Sequence, residues 1–192
     1  SVDMVCTGIS FIDDKGMSVK NAWFDNVMAF MKKSGDMELA LINGNFFMTT
    51  SNFVVRKSAF ERFGYFSNFR YAHDLAFLLR LLRQNGKIFM EAGRLLRYRI
   101  HPANTIKENA RKVKIEWAAI VAEHVHARFQ SHGWSGTGRH FLELYEILDR
   151  HALSRVMLPF IAEMTARSMI DCRAETLLAD KNFHGTMMEL IQ

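Results

Sequence analysis

Residues 73–86 read His73-Asp74-Leu75-Ala76-Phe77-Leu78-Leu79-Arg80-Leu81-Leu82-Arg83-Gln84-Asn85-Gly86. Leu75, Leu78, Leu79 and Leu82 recur at i, i+3, i+4 and i+7, the interval that puts side chains on one face of an α-helix. Arg80 and Arg83 project onto the other face, and Gly86 stands just past the last periodic residue. The spacing predicts a helix over 73–85 whose leucine face must be covered by another layer.

The flanks supply that layer. Upstream, Asn52-Phe53-Val54-Val55-Arg56 has the β-branched and aromatic content of a strand. Ser58 to Phe63 reads as a short helix, stopped by Gly64 where a left-handed cap belongs. Downstream, Lys87–Met90 and Arg94–Ile100 read as two short strands around Gly93, and Pro102 closes the stretch. Further out, Met4 to Phe11 reads as a strand ended by the turn Asp13-Asp14-Lys15-Gly16. Asn21 to Lys33 reads as a helix, and Asn43-Gly44-Asn45 as a break. The alternation of helix and strand predicts part of a layered α/β domain.

Four pieces of this order together resemble the acceptor-side half of family-2 glycosyltransferases, which have the GT-A fold. They are the strand and turn of Met4–Gly16, the run Arg56 to Gly64, the helix opened by His73-Asp74 with Arg80 and Gly86 in place, and Tyr98-Arg99-Ile100-His101. The likeness covers roughly residues 3–105. It implies an α/β unit, an α+β fragment of a GT-A fold, over 1–105, followed by a mainly helical extension over 106–192. It implies inverting transfer of a sugar from a nucleotide-sugar donor to a carbohydrate or lipid-linked acceptor, as in polysaccharide biosynthesis. Asp74 takes the place of the family's general base, and His73 stands where the family usually has Glu. Arg99 and His101 fall near the donor diphosphate, with His101 also placed to complete the shell of a divalent metal, Mn or Mg. The family's metal-binding Asp-x-Asp is absent from these 192 residues, because Asp13-Asp14 has the wrong spacing. Donor and metal binding are therefore expected from a nucleotide-binding half outside them. The chain is expected to be a fragment of a longer transferase, or a relic of one, and inactive alone.

The residues have plainer readings beside that one. Asp is among the commonest helix caps, so Asp74 fits a structural cap as well as a base. His101 should sit at a strand end, and a lone His is more often a hydrogen-bonded surface or core residue than a ligand. Residues 1–102 carry 14 Lys and Arg against 9 Asp and Glu, whereas 103–192 carry 11 of each. The excess gathers at Arg80, Arg83, Lys87, Arg94, Arg97 and Arg99. That cluster suits an anion such as a diphosphate, and equally suits basic side chains laid along a Leu-rich helix. No nucleic-acid motif accompanies it, so nucleic acid is not expected as a partner.

Beyond Thr105 the pattern becomes helical. Ile106 to His132 places Val113, Trp117, Ile120, Val121, Val125 and Phe129 on one stripe. Gly133 to Gly138 reads as a loop, and helices follow over 139–150, 153–170 and from 174 to the end with a break near Gly185. His124 and His126, at i and i+2, point apart and read as exposed or capping. Met157, Met164, Met169, Met187 and Met188 read as adaptable core packing. At 22.2 kDa with 49% apolar and 23% charged residues, the chain has the composition of a folded domain and not of a disordered tail. Cys6 and Cys172 form no framework and suit a reducing compartment. No apolar run reaches the ~20 residues of a membrane span, so a cytoplasmic protein is expected, with the inner membrane face as an alternative address. The second functional reading is a non-catalytic helical module on a transferase-derived scaffold, using 106–192 to bind a partner or form a homo-oligomer.

Overall fold

The computed structural model describes residues 2–131, 138–167 and 173–191. The chain divides into two compact units, Ser1–Phe66 with Phe77–Glu108, and Ser67–Ala76 with Asn109–Gln192. Its character is mixed α/β, a small sheet in the first part and helices thereafter.

The first unit is built on β1 (Met4–Ile12), which has neighbours on both edges. Parallel to it along its whole length runs β4 (Ile88–Arg99). The other edge is shared by two short antiparallel strands, β2 (Ser18–Val19) at the C-terminal end and β3 (Val54–Val55) at the N-terminal end. Between these two the ladder is completed by a side chain. The buried Asn52 carboxamide accepts from Thr7 N (3.0 Å) and Thr7 Oγ1 (2.8 Å), and donates to Thr7 O (2.9 Å).

The sequence predicts two strands around Gly93; the structure has one, with a bulge. Thr7 pairs with Glu91 but Gly8 with Arg94 and Ile9 with Leu96, so β4 carries extra residues there. A Cβ on Gly8 would lie 3.2 Å from Arg94 Cγ and from the Gly93 carbonyl, so a glycine is what lets the bulged backbone approach.

Helices α1 (Ala22–Ser34) and α2 (Met37–Asn43) start at Asn21 and Asp36, whose side chains accept from Phe24 N and Leu39 N. The sequence reading has no counterpart for α2, whose Leu39 to Ile42 are all buried, so that no amphipathic period shows. Helix α3 (Lys57–Phe63) ends at Gly64, where φ is +82° with ψ at 170°. This is a glycine-only conformation, but not the left-handed cap expected from the sequence.

Helix α4 (His73–Arg83) is apolar on most sides in the first unit, with Phe77, Leu78, Leu79 and Leu81 buried. Arg80, expected on the face opposite the leucines, is buried as well. Its Nη2 donates to the Tyr65 carbonyl, and its guanidinium lies 5.9 Å from the Phe77 ring centroid. The helix ends in a Schellman motif. Gly86 N donates to Leu81 O and Asn85 N to Leu82 O, with Asn85 holding the left-handed seat at φ +59°.

The second unit is helical. Its axis is α5 (Ala110–Gln130), capped by Asn109 and buried at Ile115, Ala118 to Ala122, His124 and Val125. The predicted stripe holds for Ile120, Val121 and Val125. Phe129 is 58% exposed, and small Ala residues occupy much of the covered surface. His124 is buried, correcting its reading as exposed or capping.

Around α5 are α6 (Gly138–Arg150), α7 (Ser154–Ala166), α8 (Ala174–Ala179) and α9 (Lys181–Leu190). The break between the last two falls at Asp180, the cap of α9, while Gly185 lies inside that helix. Met157, Met164 and Met187 are buried core residues; Met169, Cys172 and most of the expected loop at Gly133–Gly138 lie outside the described residues. Among the described residues no helix is long and apolar enough to cross a membrane.

Candidate functional site

The four residues singled out by sequence fall into two pairs, one in each unit. Arg99 and His101 belong to the first unit, His73 and Asp74 to the second.

The first pair terminates β4. Arg99 Nη1 donates to the carbonyls of Asp13 (2.6 Å) and Asp14 (3.0 Å), and Arg97 Nη2 reaches the Gly16 carbonyl (3.3 Å). The turn they hold is organised by Asp13, whose Oδ1 accepts from Lys15 N and Met17 N, with Gly16 at φ +83°. Two of the six clustered basic residues thus fasten the β1–β2 hairpin, and Arg80 is committed inside the fold. Three of the six thus make contacts that hold the fold, a third use beside the two the composition suggested.

His101 opens the turn after β4. Its N–H donates to Asn104 Oδ1 (2.7 Å), while Asn104 Nδ2 returns to the Arg99 carbonyl (3.3 Å). Among the described residues no group of three His, Cys, Asp or Glu side chains is placed to hold a metal ion.

The second pair opens α4. His73 is the first helical residue and half-buried; Asp74 is the second, and buried. Asp74 is therefore inside the first turn and not at the capping position before it. Its Oδ1 accepts from Leu75 N at 2.8 Å. A carboxylate near a helix start gains from the aligned peptide dipoles, yet burying one costs several kcal/mol unless partners or a function hold it.

What leads into Asp74 is not visible in the sequence. Glu116, on α5, closes both carboxylate oxygens around the backbone just before α4. Oε1 accepts from Arg70 N (3.0 Å), and Oε2 from Tyr71 N (2.7 Å) and Ala72 N (3.1 Å). A second carboxylate, Glu175 Oε2 on α8, accepts from Asn68 N at 2.7 Å. Glu123, two turns beyond Glu116 on α5, makes the same kind of bond to Ala174 N (2.7 Å). In sequence these are ordinary glutamates on helices, because an acceptor for a distant backbone N–H carries no local signature.

Cys6 faces the core of β1, and burial pushes its thiol up to about 12, so it is held neutral and unreactive. Comparison with family models, curated proteins and solved structures finds no match to this chain.

Proposed function

We propose that the chain is the acceptor-side part of a glycosyltransferase that moves a sugar from a nucleotide-sugar donor to an acceptor hydroxyl, with Asp74 as the general base. The observation that carries this reading is the setting of Asp74, a buried carboxylate on the first turn of a rigid helix, its Oδ1 fixed by Leu75 N. The resemblance of the four sequence pieces supports it independently.

In the reaction, Asp74 accepts the proton of the acceptor hydroxyl as its oxygen bonds to the anomeric carbon, and the bond to the leaving nucleoside diphosphate breaks. A rigid mounting serves this step, since proton transfer requires a carboxylate within hydrogen-bond reach of the hydroxyl. The resemblance assigns His73 to the acceptor, and Arg99 and His101 to the diphosphate. Donor binding, with its divalent metal, is assigned to sequence other than these 192 residues.

The test is Asp74→Asn in the transfer-competent enzyme. Turnover should fall by about 10²- to 10⁴-fold while donor affinity and the thermal midpoint stay near those of the parent. Near-normal turnover would return Asp74 to a purely structural role.

A second reading rests on a different observation. Phe129, Leu142, Tyr145 and Leu158 in the helical unit are each more than half exposed, an apolar display suited to a partner or a second copy. That reading makes the helical unit an interaction module.

A further inference from the structure

We propose that Glu116 is the positioning residue for Asp74, which gives the helical unit a task within the reaction and not beside it. The inference rests on the reading of Asp74 as general base. Its own ground is the grip already described, in which one carboxylate accepts from three consecutive backbone N–H groups, Arg70, Tyr71 and Ala72. The third of these is two residues before Asp74, and the Ala72 carbonyl accepts the first helical bond, from Ala76 N at 3.0 Å. Fixing residues 70–72 therefore fixes where α4 begins and the direction in which its first turn projects. Glu175 extends the hold to Asn68, so the segment before the base is fastened at four amides by two carboxylates.

Only a carboxylate can make this grip. It presents two acceptor oxygens and no donor, whereas a glutamine would turn its NH₂ toward at least one of the three N–H groups. Bonds from neutral N–H to an ionised acceptor are also among the stronger ones a protein makes. A base displaced by about 1 Å is expected to lose on the order of a hundredfold in rate. A carboxylate that holds such a segment thus acts on catalysis without touching substrate.

The experiment pairs Glu116→Gln with Glu123→Gln, which removes the same charge from the same helix but keeps an amide oxygen able to accept from the single N–H there, that of Ala174. In the 192-residue chain, Glu116→Gln should accelerate amide hydrogen exchange at Arg70–Ala72, and Glu123→Gln should leave those amides unchanged. In the transfer-competent enzyme, Glu116→Gln should lower kcat by about 10- to 100-fold with the donor KM unchanged. Glu123→Gln should keep both kcat and the thermal midpoint near those of the parent, and Glu116→Asp should recover part of the loss. Unchanged exchange in Glu116→Gln would overturn the grip. Accelerated exchange with parental kcat, while Asp74→Asn is inactive, would overturn positioning and leave the base assignment standing. Full turnover in Asp74→Asn would remove the base assignment and the positioning role with it.

Discussion

At the scale of single residues, Asn52 does for the sheet what no strand residue does. The outer edge of β1 is covered at its two ends by β3 and β2, and the peptide of Thr7 between them would otherwise lack partners on that side. The Asn52 carboxamide supplies both an acceptor and a donor, as a neighbouring strand would. Removing it leaves the half-buried N–H and C=O of Thr7 without their partner, which costs about 1–3 kcal/mol. Asn52→Ala should therefore lower the unfolding free energy of the chain by that amount, read as a lower urea midpoint with no change in the slope. A variant as stable as the parent would mean that water replaces the amide at Thr7. Nothing in the run Ser51-Asn52-Phe53 announces this. An Asn at the start of a strand reads as turn chemistry, and its partner lies 45 residues away. The same holds for Glu116 and for the burial of Arg80 and His124. The sequence shows which side chains are able to bond, whereas long-range packing decides what they bond to.

At the scale of elements, much of the pattern is legible. The helices at 22–34, 57–63, 73–83 and 110–130 follow apolar periodicity or capping residues, and the strands β1 and β3 follow β-branched content. The misreadings have physical causes. Helix α2 is buried on all sides and so has no period to find. The bulge in β4 depends on Gly8, on another strand. The sequence reading puts the break between α8 and α9 near Gly185 because glycine disfavours helices, yet the stronger local signal is a cap. Asp180 Oδ1 accepts from Asn182 N (3.0 Å) and Phe183 N (3.2 Å).

Those bonds, that to Phe183 first, hold the Asp180 carboxyl below its ordinary value, with Arg167 contributing through its charge. A carboxyl with a lowered value in the folded state stabilises the fold while ionised. Its contribution is complete above the ordinary carboxylate range and is lost as the pH falls through the lowered value. Amide exchange along α9 should thus rise on acidification before that of α5 does. Asp180→Ala should show fast exchange in α9 already at neutral pH and abolish the acid step. Identical acid profiles for parent and variant would dismiss Asp180 as the cause.

At the scale of the whole molecule, the division between units does not follow a single cut in the chain. The sequence reading separates 1–105 from 106–192, whereas the second compact unit also takes in Ser67–Ala76. Phe69, Ala72 and Leu75 of that segment are buried, and its amides are held by Glu116 and Glu175. A fragment ending at Glu108 keeps the sheet but strips those side chains and N–H groups of what covers them. Such a fragment should melt well below the full chain and without a sharp transition, read by far-UV circular dichroism. A cooperative melt at the parental midpoint would show that the segment folds without the helices. The site itself is half legible at this scale. Asp74 stands out by its place on the first turn of a leucine-rich helix, while the carboxylates that hold the segment before it lie on a later stretch of chain.

The two carboxylates that fasten the segment before α4 also set an order in time. Glu116 lies 46 residues after Arg70, and Glu175 lies 107 after Asn68. On a ribosome adding about 5–20 residues per second, the amide of Asn68 is made roughly 5–20 s before its acceptor exists. Throughout that interval water must serve as the acceptor, and the beginning of α4 has no fixed anchor. The segment that carries Asp74 therefore reaches its final form only when the helices at the end of the chain have emerged, so a synthesis pause late in the message would prolong its exposure.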